Sequence, residues 1–334
     1  MKPKTLKEHL VKMVQAGRPV LIKGAPGVGK SDIVNQVAKI TGYDLILTHP
    51  VVSDPTDYKG MPAVLEDRKT GEKTADFLPF GDLHKMITAK NPTIAFLDDL
   101  GQAPAVVQAA VMQLILARRV NGHHVSDKVV FIAATNRRQD RAGVTGILEP
   151  VKSRFTAIWE LQPDKDEWIE WALNHDMPPE IIGFIHFRPE MLAKEEATSD
   201  IVNHPCPRTI ANAGELIKLG LSSIEDLAGA IGEGAAAELN GFIKVYQDLP
   251  NIDAILMDPM EAIVPKDPSA QYAVTAALIN VVTKDNIDRV FKYASRLPAD
   301  FSMLLIRDAV RKNPKLQATT AFITWCKKHQ DFLR

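Results

Sequence analysis

The stretch Gly-Ala-Pro-Gly-Val-Gly-Lys-Ser at residues 24–31 decides the fold of this chain. It fits the pattern G-x-x-x-x-G-K-S/T and stands between a short apolar run at residues 19–24 and a helical pattern at residues 30–40. A strand, a glycine-rich turn and a helix in this order form an anion site, because the turn and the helix N-terminus both present unpaired backbone N–H groups. The stretch therefore predicts a phosphate-binding loop, formed by Gly24, Ala25, Pro26, Gly27, Val28, Gly29, Lys30 and Ser31.

The two polar side chains that end this stretch extend the prediction from a phosphate to a nucleotide with its metal ion. Lys30 supplies a cation for the β- and γ-phosphates, and the hydroxyl of Ser31 is a ligand for Mg²⁺. The alternative is a chance glycine-rich turn, which requires neither the Lys-Ser pair nor the strand and helix that flank it.

Four further apolar runs predict the rest of a sheet. They lie at residues 44–48, 93–97, 129–134 and 157–161, and helical patterns separate the strands. Continuous apolar strands that alternate with amphipathic helices are typical of a parallel sheet covered on both faces. We therefore predict an α/β fold.

Polar side chains follow two of these strands. Asp98 and Asp99 come directly after the third, and Asn136 follows the fourth. Asp98 is predicted to hold Mg²⁺, Asp99 to orient or deprotonate the attacking water, and Asn136 to hydrogen-bond that water or the γ-phosphate. The alternatives are an acidic strand end or helix cap at Asp98 and Asp99, and an ordinary turn at Asn136.

Composition excludes several classes of protein. The 334 residues include 40 Lys and Arg against 41 Asp and Glu, so the net charge of −1 excludes a globally basic nucleic-acid coat. The two cysteines, Cys206 and Cys326, do not form a disulfide framework and suit a reducing compartment. We found no signal-peptide pattern at the start and no apolar run of about 18 residues, so we expect a cytoplasmic protein without a membrane span.

After residue 161 the strand patterns stop and helical patterns take over. We expect three segments: an α/β core at 1–162, a helical lid at 163–250 and a C-terminal helical extension at 251–334. The proline-containing stretch 258–268 predicts a linker or long turn in the last of these.

The motifs, in this order, resemble those of the AAA+ ATPases: Walker A at 24–31, Walker B at 94–99 and sensor 1 at Asn136. More narrowly, the chain resembles the MoxR-type ATPases of the helix-2-insert clade. The supporting segments are Leu-Asp-Asp-Leu at 97–100, Gln-Ala-Ala-Val-Met-Gln-Leu at 108–114, Ala-Ala-Thr-Asn at 133–136, Ser-Arg-Phe at 153–155 and Pro-Arg at 207–208. The resemblance implies a P-loop NTPase (AAA+) core with an all-α lid, a homo-oligomeric ring of six subunits, and ATP and Mg²⁺ as ligands.

The resemblance also assigns two arginines and marks one departure. Arg154 matches the arginine finger, which reaches the γ-phosphate bound by the neighbouring subunit, and Arg208 matches sensor 2 in the lid. Arg137, Arg138 and Arg141 are alternatives for the finger. The family carries Glu at the second Walker B acid, whereas this chain carries the shorter Asp99, so we expect hydrolysis to persist but slowly.

Residues 51–80 form a long connection that predicts a hairpin on a loop. In the clade this insert points to the ring pore, so Tyr58, Lys59 and Met61 are candidate contacts to a substrate chain; the alternative is a purely structural hairpin. The resemblance implies a ring that remodels or activates a partner protein, with a von Willebrand factor A domain protein as the implied partner. A nucleic-acid motor and a nucleotide-gated scaffold with weak turnover remain as alternatives.

Overall fold

The computed structural model describes residues 1–66, 71–137, 140, 146–194 and 200–328. The chain divides into two compact units, Met1–Gln162 and Pro163–Arg334. The first carries all the strands of the described residues, and the second is helical.

The first unit is built on a parallel five-stranded sheet, and each of the five apolar runs predicts one of its strands correctly. The strands, including two short hairpins outside the sheet, are β1 (Val20–Lys23), β2 (Asp44–Thr48), β3 (Met61–Glu66), β4 (Lys73–Leu78), β5 (Thr93–Leu97), β6 (Arg119–Val120), β7 (His123–His124), β8 (Val129–Thr135) and β9 (Ala157–Glu160). The sheet order is β2-β5-β8-β1-β9. The central strands β5 and β8 are buried along their whole length, which explains why their sequences are continuously apolar.

Helices cover both faces of this sheet. They are α1 (Pro3–Gln15), α2 (Lys30–Thr41), α3 (Pro55–Lys59), α4 (Gly81–Thr88), α5 (Ala105–Ala117) and α6 (Glu149–Lys152). Alternate strand residues face opposite sides. Ile94 and Phe96 pack in a cluster with residues of α1 and α2, whereas Ala95 and Leu97 pack in a second cluster with residues of α4 and α5.

The predicted hairpin of the insert is present as β3 and β4, which pair antiparallel from Met61–Leu78 to Glu66–Lys73. Its turn, residues 67–70, lies outside the described residues. The short helix α3 precedes it and begins at a capping box, in which the side chain of Asp54 accepts a hydrogen bond from the backbone of Thr56.

Within this insert, the prediction that Tyr58 contacts a substrate chain is wrong. Its side chain is only 2% exposed, and its hydroxyl lies 2.7 Å from Oγ1 of Thr48. Burial raises the pKa of this phenol against the opposing hydrogen bonds from Ser53 and Thr48. Tyr58 therefore anchors the insert to the sheet, while Met61 is 55% exposed.

The second unit is a set of packed helices. They are α7 (Lys165–Asn174), α8 (Pro179–Phe187), α9 (Pro207–Lys218), α10 (Ile224–Ile231), α11 (Glu233–Gln247), α12 (Ile252–Met257), α13 (Pro268–Val281), α14 (Ile287–Ala294), α15 (Ala299–Lys312) and α16 (Thr320–Lys328). One hydrophobic cluster runs from Trp168 to Trp325, so residues of both predicted segments, 163–250 and 251–334, share a core. Their separation into lid and extension stays a prediction. None of the described helices meets the length and apolarity that a membrane crossing requires.

A buried contact between a histidine and a carboxylate joins α8 to α15 inside that core. Nε2 of His186 lies 2.7 Å from Oδ2 of Asp308, and Nε of Arg307 lies 2.9 Å from Oδ1 of the same carboxylate. Burial acts to raise the pKa of Asp308, but the hydrogen bond and charge of His186, with the charge of Arg307, outweigh it and lower that pKa. The ionised carboxylate of Asp308 therefore contributes stability that is present above the usual carboxyl pKa and is lost as the pH falls through the lowered value.

Candidate functional site

The carboxyl ends of three strands bring the predicted polar residues together. In the register of the sheet, Lys23 of β1 pairs with Thr135 of β8, and Leu97 of β5 pairs with Ala133 of β8. All three strands are parallel, so the loops that follow them leave from the same edge of the sheet. The phosphate loop, the two acids and Asn136 therefore surround one site.

The phosphate loop has the form that an anion site requires. Gly29 has a φ of 96°, a left-handed conformation that favours glycine, and it starts α2. No described side chain caps the N-terminus of α2, so its first backbone N–H groups face the loop. Nζ of Lys30, a residue only 7% exposed, donates to the carbonyl oxygens of Gly24 and Ala25, each at 3.0 Å. The loop thus combines the backbone donors of a helix N-terminus with a fixed cation.

Asn136 joins this loop through its side chain. Its Oδ1 accepts a hydrogen bond of 2.6 Å from Nζ of Lys30. The lysine is therefore bound at once by the loop and by the end of β8. In this structure the partner of the Asn136 amide oxygen is the lysine that the sequence predicts to bind phosphate.

Ser31 and Asp98 form the second contact of the site. Oγ of Ser31 donates to Oδ2 of Asp98 at 2.6 Å, and Asp98 is 8% exposed. A hydroxyl and a carboxylate side by side are hard oxygen donors of the kind Mg²⁺ prefers. The described residues contain no group of three or more His, Cys, Asp or Glu that could hold a metal. The donor set therefore fits a Mg²⁺ ion that takes its remaining ligands from phosphate and water.

Asp99 lies in a tight turn just outside the sheet. Its φ of 56° places it in the left-handed region, and its backbone N–H donates to Oδ1 of Asp98 at 3.1 Å. Its carboxylate Oδ1 accepts a hydrogen bond of 2.9 Å from Nε2 of Gln102. Sequence reasoning missed Gln102, although an amide three residues after the second acid was the signal available.

Gly101 explains why this turn stays in place. A Cβ at that position would lie 2.1 Å from Oγ1 of Thr135, the last residue of β8. Only glycine lets the turn approach the strand so closely. The turn that carries Asp99 and Gln102 is therefore packed directly against the central strand of the sheet.

Arg154 and Arg137 differ in the contacts that their side chains make within the subunit. Arg137 forms an ion pair of 2.8 Å with Asp140, and its Nη1 lies 3.4 Å from Oε1 of Glu160. Glu160 also accepts from Lys23, and this hydrogen bond is the largest cause of its lowered pKa. By contrast, Nε of Arg154 is buried and has no hydrogen-bond partner among the described residues. Arg138 and Arg141, which the sequence also offers as finger candidates, lie outside those residues.

Gln108 fixes the segment that leads to Arg154. It is 1% exposed, and its Nε2 donates to the carbonyl oxygens of Ala103 (3.0 Å) and Gly146 (2.9 Å). Its Oε1 accepts from the backbone N–H of Leu148 at 3.0 Å. Because Leu148 precedes α6 and Arg154 follows it, this amide ties the candidate finger to the Walker B side of the site.

Replacing Gln108 by leucine is expected to lower the free energy of unfolding by about 2–4 kcal/mol, because three backbone groups lose their partner inside the protein. The measurement is urea denaturation of the purified chain. The matched control is Gln113→Leu at an exposed position of the same helix, which should shift the free energy by less than about 0.5 kcal/mol. Equal effects of the two substitutions would contradict this role of Gln108.

The last predicted site residue, Arg208, lies in the second unit. It is the second residue of α9 and is exposed. Its role as sensor 2 stays a prediction.

In the first unit, the short hairpin β6–β7 supports the insert. The side chains of Asn121 and His123 lie 2.8 Å from the carbonyl oxygens of Lys59 and Phe77, respectively.

Comparison with known proteins agrees with this geometry. Residues 19–155 match the family described as AAA domain (dynein-related subfamily). Midasin of Giardia intestinalis is 26% identical over 194 residues, which cover 55% of this chain and 4% of midasin. The chain thus spans a small part of the length of that relative.

Solved structures that resemble the chain include two bacterial proteins. The RuvB Holliday junction branch migration motor of Thermotoga maritima is 17% identical and covers 83% of this chain and 80% of its own, with a TM-score of 0.43. NtrX of Brucella abortus is 12% identical and covers 91% of this chain and 67% of its own, with a TM-score of 0.42.

The family match, the parallel sheet and the phosphate loop confirm the predicted fold class, a P-loop NTPase (AAA+) core with a helical C-terminal region. The narrower MoxR-type assignment stays a prediction.

Proposed function

We propose that this chain is a Mg²⁺-dependent ATPase that works as a homo-oligomeric ring and remodels or activates a partner protein. The observation that carries the proposal is the hydrogen-bonded cluster of Lys30, Ser31, Asp98 and Asn136 at the ends of three parallel strands. A phosphate loop alone supports nucleotide binding. Its direct contact with an acid and an amide from two other strands supports hydrolysis as well.

The loop and the metal site account for ATP binding. Backbone N–H groups at the start of α2 and the ammonium of Lys30 would bind the phosphates, while Ser31 and Asp98 would hold Mg²⁺. The ion, when bound, neutralises charge on the phosphate oxygens. Because Lys30 reaches both the loop carbonyls and Asn136, its transfer to phosphate frees the Asn136 amide to face the γ-phosphate or the attacking water.

Asp99 supplies the base for hydrolysis. The oxygen of the attacking water bonds to the γ-phosphorus, its proton passes to Asp99, and the bridging oxygen leaves with ADP. Arg154 of a neighbouring subunit stabilises the charge on the transferred phosphoryl group. The support for this arginine is its buried Nε, which has no hydrogen-bond partner in the described part of its own subunit. Arg208 would link the γ-phosphate to the orientation of the helical unit.

The work of the ring is assigned to a protein partner. The hairpin β3–β4 exposes apolar side chains, including Met61 (55%) and Val64 (71%), which suit contact with a polypeptide. A von Willebrand factor A domain protein is the candidate partner, on the strength of the resemblance to MoxR-type ATPases. We propose a ring of six subunits on the same grounds, and a cytoplasmic location because the low cysteine content suits a reducing compartment.

Substitutions at Asp99 test the catalytic assignment. Asp99→Asn removes the base, so ATP hydrolysis should fall by about 10²-fold or more while ATP still binds. Asp99→Glu keeps a carboxylate and should keep turnover. Steady-state phosphate release and titration with a fluorescent ATP analogue measure both quantities. Loss of turnover in Asp99→Glu, or full turnover in Asp99→Asn, would contradict the role of this residue.

The same Asp99→Asn ring tests the partner, because it should hold ATP and stay bound to the molecule on which it acts. Proteins that co-purify with it from the native cell, and not with Lys30→Ala, identify the partner. DNA-stimulated hydrolysis with a steep dependence on salt would instead favour a nucleic-acid motor. Turnover no higher than that of Lys30→Ala would favour a nucleotide-gated scaffold.

A further inference from the structure

Gln102 is a polar side chain beside Asp99 that the mechanism above leaves without a task. Its Nε2 donates to Oδ1 of Asp99 at 2.9 Å, and its backbone N–H donates to the carbonyl oxygen of Asp99 at 3.0 Å. Two hydrogen bonds therefore tie this residue to the candidate base. One of them binds the carboxylate oxygen itself.

The other end of the same amide is unusual. Oε1 of Gln102 is buried and has no hydrogen-bond partner among the described residues. A buried amide oxygen without a donor costs about 1–3 kcal/mol, so it points to a donor that joins the site. Asp99 is an acceptor when ionised, which fixes the amide with its nitrogen toward Asp99 and its oxygen away from it.

We propose that Gln102 positions both Asp99 and the attacking water: its Nε2 holds the carboxylate and its Oε1 accepts a hydrogen bond from the water. This inference rests on the proposed ATP hydrolysis and deepens it. Gln102 neither gains nor loses a proton in the reaction. The proton of the water passes to Asp99, as in the mechanism above.

The fold gives Gln102 the rigidity that this role requires. Leu100, in the same turn, is fully buried, and the close approach of Gly101 to Thr135 fixes the turn against β8. A positioning group must be held by its surroundings to be effective. Here the backbone of the turn packs against Thr135 of β8, and the backbone N–H of Gln102 donates to the carbonyl oxygen of Asp99.

The role also explains how a short acid serves in this site. Aspartate has one methylene fewer than the glutamate that the resembling family carries, so its carboxylate reaches less far. An amide bound to that carboxylate extends the polar surface that faces the water. The geometry thus pairs Asp99 with Gln102 as one unit.

The test compares four proteins: wild type, Gln102→Ala, Asp99→Glu, and the double variant. In the wild-type background, Gln102→Ala should lower kcat about 10–100-fold, while the affinity for ATP changes less than about twofold. In the Asp99→Glu background, the longer acid reaches the water without the amide, so the same substitution should lower kcat less than about threefold. Gln113→Ala, at an exposed position of α5, is the matched control and should leave kcat unchanged.

The possible results distinguish the role of Gln102 from the ATP hydrolysis on which it depends. A merely structural role for Gln102 predicts equal losses in both backgrounds, together with a lower midpoint of thermal unfolding, and would overturn the proposal. A kcat of Gln102→Ala equal to that of the wild type would overturn it as well, while the proposed ATPase stands. A wild type that hydrolyses no more ATP than Lys30→Ala would overturn the ATPase and this inference together.

Discussion

Rings in which every Arg154 is replaced by alanine are expected to bind ATP but to hydrolyse it about 10³-fold more slowly or worse. The reason is that, in the proposed mechanism, the guanidinium stabilises charge that develops on the phosphoryl oxygens of the ATP bound by the neighbouring subunit. Within its own subunit Nε of Arg154 is buried and has no hydrogen-bond partner among the described residues. Steady-state phosphate release measures the loss.

Mixing of subunits separates this role from a defect in folding. Subunits with Lys30→Ala lack a working phosphate loop but carry Arg154, and subunits with Arg154→Ala have the opposite defect. Mixed rings should recover activity that neither variant has alone. The control is Lys152→Ala, which removes an ion pair with Glu149 within α6, just before Arg154. This variant should behave as wild type. Full activity of a uniform Arg154→Ala ring would remove Arg154 from the mechanism.

Lys30→Ala is expected to weaken ATP binding about 10²-fold or more and to leave no measurable turnover. The ammonium is nearly buried and binds the carbonyl oxygens of Gly24 and Ala25 and Oδ1 of Asn136. Truncation of a buried charge that also organises its loop costs about 2–5 kcal/mol. Titration with a fluorescent ATP analogue measures the loss directly.

The control for this prediction lies on the same helix. Lys39 of α2 is exposed, so Lys39→Ala should change the affinity less than about twofold. The same variant also shows whether the net positive charge of the helix matters. Equal affinity of Lys30→Ala and the wild type would contradict the assignment of residues 24–31 as the nucleotide site.

Much of the first unit is predictable because its sequence obeys simple rules. Strand β5 is apolar throughout since both faces of the sheet are covered, and the glycine-rich loop is defined by the backbone conformation that Gly29 adopts. Ser31 lies at the start of the helix after β1 and Asp98 lies just after β5, so their contact follows from the parallel arrangement of β1 and β5. These features depend on local pattern and on the general geometry of α/β sheets.

Other features depend on contacts that no local pattern contains. Tyr58 lies in a polar stretch of a surface insert, yet it is buried because its hydroxyl meets Thr48 across the fold. Gln108 is placed in part by the carbonyl group of Gly146, which lies far from it in the sequence, and Gln102 by the close packing of its turn on Thr135. The sequence favours Arg154 as the finger and offers Arg137, Arg138 and Arg141 as alternatives, whereas the structure engages Arg137 with Asp140 and Glu160.

Phosphate release from Mg-ATP, measured against subunit concentration, tests the central claim most directly. If the site is completed by an arginine from a neighbouring subunit, the rate per subunit should rise as rings form and should vanish in Lys30→Ala. Sedimentation of the same samples reports the assembly. A wild-type rate no higher than that of Lys30→Ala at every concentration, or a rate per subunit that stays constant while subunits assemble, would contradict the account.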